Sequence, residues 1–347
     1  MVDITVIIPA FNATKTIEST LQGIVEQRMH PREIIVIDDG STDNTADVVK
    51  RFPQVNYVRQ SNAGVSRARN NGVALSTSAW IAFCDADDIW HPAKIGICHE
   101  AIRQFPSIPF VFHDFYMFNA SEVVAQSGTF SGKSIFPIFK ENGITIKDIL
   151  KESRTLLLGG EECNDTKEVE VLYGNAFEGL ISGNFILPST VLMRRDVYQD
   201  IGGFDPSFPV AEDTELFLRA SKNMDFLYIN MPLAGYRQAS GGLTANVSRL
   251  IVHGLRAFEK HCLEDPMART RFAKNVKTAA AKRYSRMSYY YLSECMRSEA
   301  GKYAIDSLRY NLFERRAWFT LMLSIIPVPV IKELRRTKAW WTKKVYS

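Results

Sequence analysis

Across the first 90 residues, four short runs rich in β-branched and aromatic residues alternate with stretches of helical spacing. Residues 4–8 are the first predicted strand and break at residues 9–13. Residues 33–37 are the second and run into Asp38-Asp39-Gly40-Ser41-Thr42-Asp43, whose small polar side chains favour a turn and a helix start into residues 45–51. Residues 55–59 are a third strand, and residues 80–84 a fourth that stops at Asp85-Ala86-Asp87-Asp88. Between them, residues 14–27 place Ile17, Leu21, Ile24 and Val25 at helical spacing, and residues 64–74 read as another helix. This is the alternation of βαβ units around a mostly parallel sheet, which binds its ligands beyond the C-terminal ends of its strands. The polar and acidic residues that close these runs fall at that edge.

Downstream the pattern loosens. Residues 110–118 form a Phe-rich strand, followed by a Gly/Ser stretch at 127–134 and an acidic segment at 161–170, and residues 110–180 read as an insertion. Residues 184–194 resume strand character, Gly202-Gly203-Phe204-Asp205 is a turn, and residues 211–221 read as a helix opened by Glu212 and Asp213. From about residue 245 the composition becomes helical and basic, and Tyr289, Tyr290 and Tyr291 there read as packing residues rather than a sugar platform. The last segment carries Lys332, Arg335, Arg336, Lys338, Lys343 and Lys344 beside Trp340 and Trp341.

Of the 347 residues, 46% are apolar, enough for a sizeable core, and the formal charge of +4 does not describe a general nucleic-acid binder. Five scattered cysteines show no metal or redox spacing, which fits a reducing cytosol. The N-terminus lacks the basic start and apolar core of a secretory signal. No uncharged run approaches the about 20 residues of a spanning helix, and the best candidate, residues 317–331, contains Pro327 and Pro329.

Three constellations can carry chemistry. Asp85 and Asp87, one residue apart at a strand end, are oxygen donors suited to Mg²⁺ or Mn²⁺ bridging a diphosphate, although a bare Asp-x-Asp also serves as a turn or cap. Ser41, Thr42 and Asp43 are explained by turn and capping chemistry, but the adjacent pair Asp38-Asp39 at the end of a buried strand is not. One of that pair can accept hydrogen bonds from a base imide or ribose hydroxyl. Glu212-Asp213 at a helix start reads either as a cap or as a general base.

The blocks Val6-Ile7-Ile8-Pro9-Ala10-Phe11-Asn12, Ile35 to Asp43, Asn62-Ala63-Gly64-Val65-Ser66-Arg67-Ala68-Arg69-Asn70 and Phe83-Cys84-Asp85-Ala86-Asp87-Asp88 resemble, in order, those of family 2 glycosyltransferases with the GT-A fold. Gly202 to Asp205 and Glu212 to Arg219 look like that family's acceptor-side blocks, so the resemblance spans about residues 3–240. It implies an α/β fold, a Rossmann-like mixed sheet flanked by helices, over residues 1–245. Residues 1–110 would be the nucleotide-sugar half and 111–245 the acceptor half, followed by a helical, basic region at 246–347. By resemblance, Pro9, Phe11 and Asp39 line the nucleobase and ribose pocket and Arg69 lies near the donor. Asp85 and Asp87 are the Asp-x-Asp pair and the metal residues, with Asp87 preferred over Asp85 as the direct ligand, and Asp213 is the catalytic base with Glu212 as second choice.

The reaction implied is inverting transfer of a sugar from a nucleotide diphosphate donor, expected to be a UDP-sugar, to a hydroxyl of a surface or cell-envelope glycan, with Mn²⁺ or Mg²⁺ as cofactor. Many relatives carry a His shortly after the Tyr-Arg that corresponds to Tyr236-Arg237. This chain reads Gln238-Ala239-Ser240-Gly241-Gly242 there, which leaves diphosphate contacts to Arg237 or implies weaker metal binding. The basic, Trp-rich terminus reads either as a solvated helix or as an anchor, and Trp318, Phe319, Leu321, Met322, Leu323, Ile325 and Ile326 ahead of its charges favour the anchor: peripheral association with an anionic membrane, on the inner face of the plasma membrane, by an otherwise cytoplasmic protein. Two alternatives remain: a nucleotidyltransferase, although Pro9-Ala10-Phe11-Asn12-Ala13 is not a phosphate loop, and a non-catalytic sugar-nucleotide or glycan-binding protein. A dehydrogenase would need Gly-x-Gly-x-x-Gly after the first strand, and it is absent.

Overall fold

The computed structural model describes residues 2–118, 123–125, 144–159, 168–238 and 247–326. The chain forms two compact units, Met1–Ala245 and Asn246–Ser347. The Gly/Ser stretch, most of the acidic segment, residues 239–242 and the basic Trp-rich terminus lie outside the described residues.

In the first unit, β1 (Val2–Ala10), β2 (Pro31–Asp38), β3 (Asn56–Arg59) and β4 (Trp80–Phe83) pair in parallel in the order β3-β2-β1-β4. Helices α1 (Ile17–Val25), α2 (Thr45–Val49) and α3 (Val65–Leu75) connect them. Ile4, Val6, Ile7 and Ile8 are all buried, as expected of a central strand covered on both faces. The α3 helix lies tight on β1 because Gly72 offers no side chain: a methyl group there would collide with Ile7. That close approach sets α3 against the sheet one turn from Arg69.

Beyond β4 come β5 (Ile89–Trp90), α4 (Lys94–Gln104), β6 (Phe110–Phe118), β7 (Val123–Ala125), α5 (Ile146–Ile149), β8 (Glu152–Leu157), β9 (Glu168–Gly174) and α6 (Phe177–Ser182). A 3₁₀ turn (Pro188–Thr190), β10 (Leu192–Arg194), α7 (Arg195–Asp200), α8 (Glu212–Ser221) and β11 (Phe226–Arg237) complete the unit. The sheet continues from β4 as β10-β6-β11-β9-β8. The β10 strand is antiparallel to both β4 and β6, while β6 and β11 are parallel. The C-terminal ends of β1, β2, β4, β6 and β11 therefore share one edge.

Two expectations change here. The Phe-rich run at 110–118 is not part of an insertion but a central strand, because Phe110, Val111, Phe112 and Phe115 are apolar on both faces and all buried. Residues 184–194 are strand only at Leu192–Arg194, since Pro188 cannot donate to a ladder and opens the 3₁₀ turn instead.

The second unit is helical, with α9 (Val247–Phe258), a π-helical turn (Glu259–Leu263), α10 (Pro266–Arg271), α11 (Ala273–Ser293), α12 (Arg297–Tyr310) and α13 (Arg315–Ile325). Its seam buries Leu292, Ala300 and Leu323, with Tyr291 and Phe319 packed against them. Tyr291 and Tyr303 stack at 5.2 Å, and Tyr284 stacks on both Tyr303 and Tyr310. Tyr291 is thus a packing residue.

Candidate functional site

The loops after β1 and β2 are stitched to each other. Asn12, in the left-handed region at φ 50°, donates its N–H to Ser41 Oγ (2.9 Å) and accepts from the Thr42 N–H through Oδ1 (2.8 Å). The Ala13 N–H donates to Thr45 Oγ1 (2.8 Å) and that of Thr14 to Asp43 Oδ2 (3.1 Å). Burial opposes its charge, but the Thr14 and Thr45 donors together outweigh it and hold the Asp43 carboxyl down at about 2. These bonds account for Ser41, Thr42 and Asp43 as structural residues. Pro9 is buried in β1, whereas Phe11 just beyond it is 52% exposed, an aromatic face left open at the sheet edge.

Both carboxylates of the Asp38-Asp39 pair already have partners. Asp38 accepts from the Ser41 N–H (2.7 Å) and the Tyr57 hydroxyl (2.5 Å); burial and this carboxylate push Tyr57 up to about 12. Asp39 accepts from Gln60 Nε2 (2.7 Å) and the N–H groups of Ala63 and Gly64 (2.8 Å each), which anchors the loop leading into α3. Its Oδ2 takes only the Gly64 N–H, which leaves acceptor capacity for a further donor.

The strongest electrostatic feature joins segments far apart in the chain. Arg69, on α3 and 3% exposed, donates through Nη2 to Asp85 Oδ1 (2.6 Å) and through Nη1 to Glu212 Oε1 (2.8 Å), with its guanidinium 4.9 Å from the Phe204 ring centre. Burial opposes its charge, but Asp85 and Glu212 outweigh it and raise the guanidinium further above its ordinary value. Arg69 therefore lies beneath the carboxylates as a clamp and not in an open cleft. Glu212 is committed to that clamp.

On the strand-end turn, burial and then the Asp85 charge push the Asp87 carboxyl up to about 6. Asp88 is buried and raised too, by desolvation and by its two acidic neighbours, while its Oδ1 accepts the Arg237 N–H (3.1 Å). Arg237, at the end of β11, donates through Nε to the Asp87 carbonyl (2.8 Å) and lies over the Phe118 ring. A cation from the far half of the sheet is thereby set beside the acidic turn. Among the described residues no three His, Cys, Asp or Glu side chains converge as a ready metal cage. Asp85 and Asp87 are oxygen donors of the kind a hard divalent cation takes, and Asp85 Oδ1 is already bonded to Arg69.

Asp213 is the second residue of α8, whose N-cap is Ala211 in the left-handed region at φ 59°. Its Oδ1 accepts from the Thr214 N–H (2.6 Å) and its Oδ2 from Asn184 Nδ2 (2.9 Å). Burial first, and then the adjacent Glu212 charge, push this carboxyl up to about 7, which suits a proton acceptor at neutral pH. The preceding turn is held by Arg219, which donates to the carbonyls of Ile201 and Gly203 and pairs with buried Glu215 (2.6 Å), and by Asn70, bonded to both polar groups of the Phe204 backbone. Gly202 (φ 85°) and Gly203 (φ 65°) supply the backbone this turn needs.

Sequence reasoning missed three residues here. Ser189 Oγ accepts the Asp85 N–H (2.9 Å), and its carbonyl accepts from Lys94 Nζ (2.6 Å) and Trp90 Nε1 (3.2 Å). Lys94 is wholly buried, 3.5 Å from the Trp90 ring centre, and burial drives its ammonium down to about 7. Neither shows a sequence signal, since an isolated Ser or Lys is uninformative. Asn184, the third, donates to the ionised form of Asp213, so Asn184→Ala is expected to move that carboxyl's titration above about 7, as followed by ¹³C NMR of the Asp213 carboxyl. An unchanged or lower midpoint would mean the bond does not govern it.

Residues 5–147 match the model of the glycosyl transferase family 2. The chain is 40% identical over 93 residues to the uncharacterized glycosyltransferase YibD of Escherichia coli, covering 26% of this chain and 27% of that protein. It is 28% identical over 247 residues to the amylovoran biosynthesis glycosyltransferase AmsB of Erwinia amylovora, covering 69% of this chain and 71% of AmsB. The matches to YibD and two further curated relatives span 27%, 18% and 30% of their lengths. Among solved structures, Staphylococcus aureus TarS residues 1–349 in complex with UDP-GlcNAc superposes with a TM-score of 0.62 at 15% identity, over 98% of this chain and 93% of that one.

Proposed function

We propose, from the match of residues 5–147 to the glycosyl transferase family 2 model, that the chain is an inverting transferase of that family that moves a sugar from a UDP-sugar onto a hydroxyl of a cell-envelope or surface glycan. The observation that carries the reading is the Arg69 clamp: it ties the strand-end acid Asp85 to the helix that begins with Glu212 and Asp213, coupling a candidate diphosphate turn to a candidate base. TarS has been solved with UDP and with UDP-GlcNAc, and AmsB is named for amylovoran biosynthesis, which supports the donor and acceptor classes.

In this reading the exposed Phe11 ring stacks on the nucleobase, and the open acceptor position of Asp39 takes a donor from the base or ribose. Arg237 faces the diphosphate. Asp213 accepts the acceptor's hydroxyl proton as that oxygen bonds to the anomeric carbon; the bond from that carbon to the diphosphate breaks on the opposite face, and the configuration inverts. Asp85 and Asp87 fit a divalent cation, since Asp87 is a half-buried carboxyl crowded by another acid, and Arg69 bonds Asp85 rather than Asp87. When bound, Mg²⁺ or Mn²⁺ would offset the negative charge on the departing diphosphate.

The test is release of nucleotide diphosphate from UDP-, GDP- and dTDP-sugars with Mn²⁺, Mg²⁺ or EDTA. Metal-dependent release from one UDP-sugar is expected, reduced by roughly a hundredfold or more in Asp87→Ala. Turnover that survives EDTA and Asp87→Ala would remove the metal from the reading. A chain that binds UDP-sugar but transfers to no glycan acceptor would be a binding protein.

A further inference from the structure

The two units carry opposite charge: residues 246–347 hold 21 Lys and Arg against 8 Asp and Glu, while residues 1–245 hold 21 against 30. A chain that is nearly neutral overall thus consists of an acidic catalytic unit and a strongly basic helical one. Such asymmetry points the basic part toward an anionic surface.

On α13, Ala317, Thr320 and Leu323 are buried. Opposite them, Arg315, Trp318, Met322 and Ile325 recur at spacings of three and four residues and are all exposed. Trp318 is 46%, Met322 66% and Ile325 75% exposed, and in the turn before the helix Leu312 is 66% and Phe313 89% exposed. Two hydrogen bonds hold this surface in shape. Trp318 Nε1 donates to the Leu312 carbonyl (2.7 Å), which ties the indole to the turn, and the Phe313 N–H donates to Asn311 Oδ1 (3.0 Å). The indole N–H is satisfied within the protein, so the ring offers apolar surface, and Phe313 projects as a wedge. Apolar side chains gathered in this way mark an interaction site rather than ordinary surface.

We propose that Leu312, Phe313, Trp318, Met322 and Ile325, with Arg315, dock this unit onto an anionic lipid surface. The apolar side chains enter the interface and the Arg head stays among the phosphates. Among the described residues no helix is long and apolar enough to cross a membrane, so α13 lies in the interfacial plane. Charge decides against a self-complementary pairing with a second copy, because that contact would bring two units of the same strong positive excess together. The inference stands apart from the transfer reaction and does not depend on it.

Full-length protein is sedimented with vesicles of phosphatidylcholine alone or of equal parts phosphatidylcholine and phosphatidylglycerol, at low and high salt. It is compared with the triple variant Trp318→Ser, Met322→Ser, Ile325→Ser and with Arg315→Glu. Wild type is expected to sediment with the phosphatidylglycerol vesicles, to be released by salt, and to ignore phosphatidylcholine alone. The triple variant should partition about tenfold or more weakly, and Arg315→Glu should bind more weakly than wild type. The substituted side chains are exposed, so both variants keep the wild-type circular dichroism spectrum. Failure of wild type to bind at low salt would overturn the proposal, and so would variants that bind like wild type. Conversion of a lipid-free oligomer to monomer by the triple variant would assign the face to a second copy instead.

Discussion

Arg69→Met is expected to destabilise the protein by about 3–5 kcal/mol. Methionine keeps an apolar stem beside Phe204 but removes the guanidinium that bonds Asp85 at 2.6 Å and Glu212 at 2.8 Å. Two carboxylates then remain in a poorly solvated site without a cation, and the cost of burying a charge with no partner exceeds the worth of the pair that is lost. Asp85 retains some access to water, with its side chain 32% exposed, which places the loss toward the lower end of that range. Arg69→Lys should recover only part of it, because a single ammonium cannot reproduce a planar fork that bonds two carboxylates at once. Guanidinium unfolding midpoints at constant slope give the measurement. A loss below about 1 kcal/mol would mean that the clamp is solvated and does not organise the site.

Asp213→Asn is expected to lower the rate of transfer by about a thousandfold while leaving UDP affinity nearly unchanged. The amide preserves the shape of the side chain and can still bond to its surroundings, but it cannot take a proton. In the unmodified protein, burial and the neighbouring Glu212 set the carboxyl at about 7. A base works in its deprotonated form, so activity is present above that pH and is lost as the pH falls through it, with unit slope in the logarithmic plot. The variant should retain no such limb in its residual activity. Survival of the limb in Asp213→Asn would assign it to a different group, with Asp87, pushed up to about 6, as the next to test.

How far the sequence could be read depended on the distance over which each feature is determined. The parallel half of the sheet was legible because Ile4, Val6, Ile7 and Ile8 form a continuous apolar run that only a strand covered on both faces explains, and because the polar residues recur where such strands end. Asp85 and Asp87 were legible for the same reason. The 110–118 run was legible as a strand but not as a central one, since β10 enters beside it from some 80 residues later in the chain.

By itself the sequence determined which residues could be acidic at a strand end, which could start a helix, and where the chain turns basic, because these follow from local periodicity and side-chain chemistry. Only the tertiary structure decided which of those residues are committed to the fold. Asp39 binds the loop that leads into α3, Glu212 is held by an arginine 143 residues away, and Lys94 and Ser189 support the acidic turn from beneath. A carboxylate's role depends on the donors and the water left around it once the chain has packed, and those come from segments whose spacing along the chain carries no record of their contact.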